Sequence, residues 1–505
     1  MTNHDVITYS RENGGRVIVL FLLFLLALYE LTTTGLPAMA IVCIIPLLIA
    51  SMYFVFQHKM VVFWFLFFAN YLIMGMSRYI HIPVPITTLT LLPEIMLLIT
   101  LVIDIRQDCN AKYANLMLLA LMIWVFYIFL QVFNRTCMLP ISYADWARNF
   151  LFYALAFLIV FFLITSLINS PEKIALLFKF WAYLSIAASI WAWRQKTFGW
   201  DNWEMIWLEG GGKRTHLIGG SIRYFSFFTD AATFGCCIAA SAVVFYIRAI
   251  NSKIKKDRIL FLLTAFICTY AFFMSGTRTA LACFIVGIAF YVILSKSIKI
   301  AIPVGLLGGL FFFIMAFTTI GENNMQIRRM RSAFNKNDAS ANVRDINKAA
   351  LAKYLKDAPF GMGFNVDEGR VPANHKYKIV YETSNDSTYV FMWQRVGIIG
   401  AILFAIVNGL ILIGGCYITM FVLREKETAS IGAAYCCAFV AIQVGGYMNE
   451  ILLQFPNLLL YYGGMAIVYL LPNIEEEFKQ YEINRLEQQK IGERIKLEKK
   501  LKSRV

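Results

Sequence analysis

Long apolar runs recur along most of this chain, and they constrain its fold more than any other feature. A helix that crosses a membrane needs about 20 mostly apolar residues. Candidate spans of that kind lie near residues 17–35, 37–56, 60–77, 84–104, 114–133, 147–169, 174–193, 225–249, 258–275, 277–295, 298–319, 390–422, 430–448 and 456–472. The sequence therefore predicts an all-α fold, a polytopic integral membrane helical bundle with about 12–14 spans. Because Pro37 and a second run follow the first run at once, we do not expect the first run to be a cleaved signal peptide.

The composition agrees with lipid as the main solvent. Of 505 residues, 59% are hydrophobic and 15% are charged, whereas a soluble domain is about 45–50% apolar and about 25% charged. The formal net charge of +15 would suggest nucleic acid in a soluble protein. In a polytopic membrane protein it more often reflects basic cytoplasmic loops, so we expect no nucleic-acid partner.

Most of the ten cysteines lie within apolar runs, where a thiol behaves as a small hydrophobe. The sequence has no CxxC pair and no Cys/His cluster with the spacing of zinc ligands. We therefore expect no disulfide and no structural metal.

Basic residues in the short loops predict the orientation, because positive residues resist translocation. With the N-terminus inside, every second short connection is basic, and the strongest one, 248–258, contains Arg248, Lys253, Lys255, Lys256 and Arg258. An even number of spans then places the C-terminal tail inside as well. Both termini are predicted to be cytoplasmic and the long polar stretch after residue 320 to be exported.

That polar stretch divides the chain into parts. A polar segment of more than 60 residues is too long for a simple connector, and such loops are usually functional or disordered. The predicted parts are an N-terminal transmembrane bundle (1–320), one long extracytoplasmic loop (321–386), C-terminal transmembrane spans (387–472) and a charged cytoplasmic tail (473–505). For the tail, a solvated helix near anionic lipid and a short coiled coil are both open.

The composition of the loop favours order and partial helix. Asn342 can cap a helix whose apolar residues recur at helical spacing up to residue 359. The segment 359–364 follows, and its Gly361 and Gly363 allow a sharp turn and close approach of the backbone. A loop that folds back over a bundle in this way can cover a site.

Arginines near the predicted outer ends of spans are the strongest functional signal, because an ionisable group in a membrane is costly unless it is paired or used. Arg278 starts one span, Arg223 and Tyr224 precede another, and Arg344 lies in the loop. A guanidinium group presents a planar fork that fits a phosphate or a carboxylate. The alternatives are snorkelling to the headgroups for Arg278 and an anionic-lipid patch for the arginines at 328–331.

Carboxylates and one imidazole are candidate proton acceptors. Asp386 lies where the loop re-enters the membrane, and His375 lies within the loop. The alternatives are a helix N-cap for Asp386 and a solvated side chain for His375. Glu94 is open as a packing group or a proton relay, and Glu450 is expected at the lipid headgroups; neither enters the predicted site.

Four motifs follow one another in a characteristic order. They are an arginine-containing span start at 223–235, Ser-Gly-Thr-Arg-Thr-Ala-Leu at 275–281, Arg344 followed by Pro-Phe-Gly-Met-Gly at 359–363, and Ser-Asn-Asp-Ser-Thr-Tyr at 384–389 leading to Gly-Ile-Ile-Gly at 397–400. This order resembles the O-antigen polymerase and O-antigen ligase superfamily of bacterial envelope proteins, the Wzy and WaaL-like family. The resemblance covers roughly residues 220–405.

The resemblance implies a membrane glycosyltransferase that uses undecaprenyl-diphosphate-linked oligosaccharide at the outer face of the bacterial cytoplasmic membrane, with no metal and no cofactor. A developing negative charge on the departing diphosphate would be stabilised by cations, a role assigned to Arg223, Arg278 and Arg344. Asp386, or else His375, would remove the proton of the acceptor hydroxyl. The residues expected to contact the substrate are Tyr224, Gly361, Gly363, Asn385 and Tyr389.

Polymerase and ligase are separated by one motif. Ligases of the family typically place His-Asn at the loop exit, whereas this chain has Ser384-Asn385 there, which favours a polymerase. Membrane lipids are expected partners, and the resemblance leaves a chain-length regulator open. A flippase or other transporter of lipid-linked oligosaccharide is the alternative from another class, although the single long loop and the lack of repeated span groups do not favour it.

Overall fold

The computed structural model is a bundle of helices. It describes residues 49–80, 88–105, 112–218, 221–321, 325–331, 339–384, 387–454 and 456–502, with the single residues 26, 29 and 323. Up to residue 218 the helices are α1 (Lys59–Met76), α2 (Thr88–Ile105), α3 (Leu116–Leu130), α4 (Tyr143–Phe150), α5 (Ala156–Leu167), α6 (Pro171–Phe198), α7 (Asn202–Trp207) and α8 (Lys213–His216).

The second half of the chain continues the same architecture. Its helices are α9 (Ala231–Asn251), α10 (Lys255–Met274), α11 (Arg278–Ser295), α12 (Ile298–Phe317), α13 (Met325–Arg331), α14 (Ala339–Leu355), α15 (Lys378–Glu382), α16 (Thr388–Tyr417), α17 (Lys426–Met448), α18 (Gly463–Leu470) and α19 (Glu475–Lys502). Two short strands, β1 (Leu217–Ile218) and β2 (Ser221–Ile222), pair antiparallel between α8 and α9.

The membrane-spanning helices confirm the predicted fold class. Within the described ranges, nine helices are long and apolar enough to cross a membrane, and a tenth would be the bent pair of segments Leu458–Asn473 and Glu475–Ile495. The predicted spans at 84–104 and 298–319 are present as the helices α2 and α12. The predicted span at 17–35 and most of the one at 37–56 lie outside the described residues. The protein is therefore an all-α polytopic membrane protein.

Helix α9 is the centre of the bundle. It packs against α10, α11 and α17, and 89% of its apolar window is buried. Its first half is rich in Ala, Gly, Cys and Ser, and small residues let membrane helices approach closely. A Cβ atom on Gly235 would lie 2.3 Å from the Ser275 hydroxyl, so a larger residue would separate α9 from the turn after α10.

The charged tail lies across one end of the bundle, here called the tail end. The chain bends by 89° before α19. Lys253 pairs with Glu482 at 3.0 Å and Asp257 with Arg485 at 2.6 Å, while the Glu475 carboxylate accepts hydrogen bonds from the Arg424 and Glu425 amides, both at 2.9 Å. The segments that the sequence assigns to the cytoplasm, 248–258, 424–426 and the tail, thus share one end.

The long loop packs at the opposite end, here called the loop end. Helix α14 begins at Ala339, so the expected N-cap at Asn342 is wrong; Ala is a strong helix former, and it carries the helix one turn further back. The helix ends at Leu355, before Pro359, as predicted. The loop has a small core of its own, which includes Leu351, Met362, Val371 and Val380.

The glycines of the loop dock against a break in helix α16. Gly397 interrupts that helix with φ +70° and ψ −177°, a conformation that is essentially restricted to glycine. There the Met362 amide donates to the Gln394 carbonyl and the Gly363 amide to the Arg395 carbonyl, both at 2.8 Å. A Cβ atom on Gly397 would lie 2.0 Å from the Pro359 carbonyl oxygen. We call this contact the glycine junction.

Candidate active site

Three arginines meet at the turn between α10 and α11. Gly276 lies in that turn with φ +56°, and a Cβ atom there would be 3.4 Å from Cγ of Arg223 and 3.7 Å from Cδ of Arg329. Arg278 follows two residues later and is also within electrostatic range of Arg223. We call Arg223, Arg278 and Arg329 the arginine cluster.

Hydrogen bonds fix Arg223 within the cluster. Its Nη1 donates to the Thr215 carbonyl and its Nη2 to the Thr277 hydroxyl, both at 2.8 Å. Its buried Nε has no hydrogen-bond partner in the part of the chain that the structure describes. Burial and the repulsion of Arg329 and Arg278 lower the pKa of Arg223 to about 10, partly offset by Asp230. The group is still charged near neutral pH, and a bound anion would relieve the repulsion.

The motif around Arg278 folds locally to hold this geometry. The Ser275 hydroxyl donates to the Phe272 carbonyl at 2.7 Å and accepts a hydrogen bond from the Thr277 amide at 3.2 Å. The Thr277 hydroxyl donates to the Ala231 carbonyl at 3.0 Å. The start of α11 is therefore tied to the start of α9, and Arg223 is tied to both.

Two polar side chains, which the sequence did not single out, cap helix α9. Asp230 accepts hydrogen bonds from the amides of Ala232 at 2.6 Å and Thr233 at 2.9 Å. His216 accepts the Ala231 amide through Nε2 at 3.1 Å, so its Nδ1 carries the proton and donates to the Gly212 carbonyl at 3.0 Å. Burial lowers the pKa of His216 to about 4, which keeps the ring neutral.

A third missed residue, Arg78, supports the segment that carries Arg223. It is 4% exposed and donates to the main-chain carbonyls of Phe228 and Thr229. Its guanidinium lies 4.3 Å from the Trp207 ring and 4.2 Å from the Phe225 ring. This arginine positions the chain before α9.

The turn 449–454 closes the loop end beside the cluster. The Gln454 side-chain oxygen accepts hydrogen bonds from the hydroxyls of Thr229 at 2.8 Å and Thr233 at 3.2 Å. Glu450 of this turn is within electrostatic range of Asp230 and Arg395, and burial raises its pKa to about 7. This turn packs onto α9 through Gln454, and the expectation that Glu450 lies at the lipid headgroups stays a prediction.

The structure places Arg344 elsewhere at the loop end. With Asn347 and Lys348 it lines a cavity that is closed by Ser384, Ser387 and Tyr447. The structure thus brings Arg223 and Arg278 together and adds Arg329. Arg344 lines this separate cavity instead. Asn385 and Asp386 lie outside the described residues, although their neighbours Ser384 and Ser387 line the cavity.

The other predicted site residues lie in several places. Both ring nitrogens of His375 are engaged, with Nε2 2.9 Å from the Cys137 carbonyl and Nδ1 accepting the Tyr377 amide at 3.3 Å; this ties the loop to residue 137. Gly361 and Gly363 form the glycine junction. Tyr389 points into the bundle and donates to Gln443 at 2.7 Å, whereas Tyr224 directly follows Arg223 and is buried.

An apolar groove runs between α6 and α10. Its volume is about 380 Å³, and its lining includes Ile190, Trp193, Phe266 and Tyr270. Lys196 donates to the Tyr270 hydroxyl at 3.3 Å, and Tyr270 is within electrostatic range of Tyr224. The groove therefore ends next to the segment that carries Arg223. Among the described side chains, no group of three or more His, Cys, Asp or Glu residues could hold a metal ion.

This arrangement defines a class of protein: a polytopic membrane protein with a folded loop and a cluster of arginines at one end of its bundle. Residues 263–405 match a family model described as O-antigen ligase. The match includes Arg278, Arg329, Arg344 and the glycine junction, and it confirms the resemblance to the O-antigen polymerase and ligase superfamily. This family consists of glycosyltransferase-like membrane enzymes of polysaccharide biosynthesis. A search of curated proteins found no match.

Proposed function

We propose that this protein is a polymerase that transfers a growing glycan from undecaprenyl diphosphate to a lipid-linked repeat unit at the outer face of the bacterial cytoplasmic membrane. The product would be an O-antigen, a capsule or an exopolysaccharide. The observation that carries the proposal is the meeting of three arginines, from the chain before α9, the start of α11 and helix α13, at one end of a membrane bundle.

The arginine cluster fits the chemistry of the donor. When the bond between the sugar and the diphosphate breaks, negative charge develops on the departing oxygen, and preorganised cations stabilise that charge more in the transition state than in the ground state. Arg223 is held by Thr215 and Thr277, so its orientation costs little when the substrate binds. We assign Arg223, Arg278 and Arg329 to the diphosphate.

The apolar groove and the cavity with Arg344 suit the prenyl chain of the donor and the acceptor sugar, respectively. The α6–α10 groove, whose mouth carries Lys196 and Tyr270, would hold the first isoprene units of the prenyl chain. The cavity with Arg344, Asn347 and Ser384 offers polar groups of the kind that bind sugar hydroxyls, so we assign Arg344 to the acceptor side instead of the diphosphate. Asp386 lies outside the described residues, and its role as a proton acceptor stays a prediction that a variant below tests.

The test is glycan lengthening by purified protein in proteoliposomes, supplied with undecaprenyl-diphosphate-linked oligosaccharide and no nucleotide. Arg223→Ala, Arg278→Ala and Arg329→Ala should each lower the rate by about 10²–10³-fold, the usual cost of one charge-stabilising group. Arg328→Ala is the matched control, because Arg328 is exposed on the same short helix as Arg329. Equal rates for the two α13 variants would remove Arg329 from the site, and near-normal rates for Arg223→Ala or Arg278→Ala would refute the diphosphate assignment.

The ligase is the second candidate, because the matching family model is described as O-antigen ligase. The same assay separates the two when a lipid A–core acceptor is added beside the lipid-linked repeat unit. Transfer only to the lipid A–core acceptor would identify a ligase. Movement of the lipid across the vesicle without any transfer would favour the flippase.

A further inference from the structure

We infer that Glu450 is the general base that removes the proton from the attacking hydroxyl of the acceptor sugar. This inference rests on the proposed function and deepens it. The turn 449–454, which carries Glu450, lies between helix α9, which begins after Asp230, and helix α16, which carries Arg395.

The turn is fixed on both sides. Toward α9, the Gln454 side chain accepts the hydroxyls of Thr229 and Thr233 and donates to the Glu450 carbonyl at 2.7 Å. Toward α16, the Thr388 hydroxyl accepts the Ile451 amide at 3.2 Å. The main chain of Glu450 is therefore held next to the start of α9. Arg223 of the arginine cluster is tied to the same helix start through Thr277.

Among the described residues, the carboxylates of Asp230 and Glu450 lie at this position, and they differ in their hydrogen bonds. One carboxylate oxygen of Asp230 accepts hydrogen bonds from the amides of Ala232 and Thr233, and the other accepts one from the Thr233 hydroxyl at 3.0 Å. Asp230 is therefore a helix cap. In the described part of the chain, the hydrogen bonds of Glu450 involve its main chain. The residue is half-buried, so part of its surface is open to solvent.

The charges around Glu450 set its proton affinity. The groups that face it are Asp230 on the α9 side, which raises its pKa, and Arg395 on the α16 side, which lowers it; burial is the largest contribution, and the result is about 7. A general base works best when its pKa is close to the working pH. Arg395 is itself placed over the rings of Tyr381 and Phe391, so its position is fixed by the loop and by α16.

The step balances without a further reagent. The acceptor oxygen forms a bond to the anomeric carbon of the donor glycan as the bond from that carbon to the diphosphate oxygen breaks, and the electron pair leaves with the diphosphate at the arginine cluster. The hydroxyl proton moves to the Glu450 carboxylate and then to water. This requires the cluster and Glu450 to flank one sugar, on the leaving side and the attacking side respectively.

The experiment compares Glu450→Gln, Glu450→Asp and Asp386→Asn in the glycan-lengthening assay from pH 5.5 to 9, with exposed Glu209→Gln as the control. We expect wild-type kcat/KM to rise with pH through a midpoint near 7, because kcat/KM reports the free enzyme and only the deprotonated carboxylate accepts a proton. Glu450→Gln should lower kcat by about 10²–10⁴-fold, remove that pH dependence and leave KM nearly unchanged. Glu450→Asp should retain part of the activity with a shifted midpoint, a result that a merely structural role would not produce.

The failures of the two proposals are distinguishable. If the wild type lengthens no glycan, the proposed function is wrong. If the wild type is active and Arg223→Ala is not, but Glu450→Gln keeps the wild-type rate and pH midpoint, Glu450 is not the base. Loss of the pH dependence in Asp386→Asn alone would assign the role to Asp386 and would overturn this inference. Should Glu450→Gln fail to fold, an unshifted pH midpoint in Glu450→Asp would overturn it equally.

Discussion

Substitution of Gly397 by Ala tests the physical account of the glycine junction. Gly397 breaks helix α16 in a conformation that L-residues rarely adopt, and a Cβ atom there would lie 2.0 Å from the Pro359 carbonyl oxygen and 2.4 Å from the Gly361 amide nitrogen. Both close neighbours are main-chain atoms, which cannot move aside as a flexible side chain can. The loop must therefore separate from α16 or strain its own backbone.

The cost can be worked from its parts. The backbone conformation costs about 1–3 kcal/mol for a non-glycine residue. Separation of the junction also loses the hydrogen bonds from Met362 to Gln394 and from Gly363 to Arg395, each worth about 1 kcal/mol. A total of about 3 kcal/mol or more would raise the population of the separated loop by about 100-fold or more, since every 1.4 kcal/mol is a factor of ten.

Hydrogen exchange measured by mass spectrometry on the peptide 359–364 reports this population directly, because the Met362 and Gly363 amides are the junction donors. We expect their protection to fall by about 100-fold in Gly397→Ala. Gly409→Ala in the same helix is the matched control, because nothing lies within 4 Å of a Cβ atom there, and alanine should be neutral or stabilise by up to about 1 kcal/mol. Equal protection in the two variants would refute the reasoning.

Three further predictions concern other parts of the molecule. The pKa of His216 is about 4 in the folded protein and 6.5 in the reference state. The neutral ring should therefore contribute its full stabilisation above pH 6.5, and the free energy of unfolding should fall by about 3 kcal/mol as the pH drops to 4. In pH-dependent unfolding, His216→Gln should lose this slope, whereas the exposed control His58→Gln should keep it. Arg485→Ala removes one of the two cationic partners of the buried Asp257 and should destabilise the tail end by about 1–3 kcal/mol, seen as faster tryptic release of α19, whereas exposed Lys490→Ala should not. Gly235→Ala should lower the thermal stability in detergent through its clash with Ser275, and Ser275→Gly should recover part of the loss; additive effects of the two changes would contradict the close contact.

The sequence predicted the spans well where an apolar run ends at a polar boundary. The predicted runs 258–275 and 277–295 became Lys255–Met274 and Arg278–Ser295, because run length alone determines whether a helix can cross a membrane. The helix start at 339 was missed, since alanine and serine before Asn342 carry no stop signal. The break at Gly397 was not predicted, because it depends on a contact with residues that lie nearly 40 positions earlier in the chain.

The candidate site was predictable only in part. Arg223 and Arg278 could be paired from sequence because both lie at the same predicted ends of spans. The sequence could not tell that Arg329 joins them while Arg344 does not, since that depends on how α13 and α14 pack against the bundle. The roles of His216 and Glu450 could not be predicted for similar reasons. His216 caps a helix start at Ala231 that is distant in sequence, and Glu450, which the sequence placed at the lipid headgroups, is near Asp230.

The glycine junction has a consequence for chimeric proteins. The loop's glycines pack against the interrupted helix through main-chain atoms. The loop and the helix break, which together span Pro359 to Ile399, should therefore be exchanged between relatives only as one piece. A chimera that joins a foreign loop to this α16 would pair that loop with a helix break it does not match. A chimera that takes the whole stretch from a relative keeps the loop and its matching helix break together. Efforts to swap sugar preference between relatives should place their crossover points outside it.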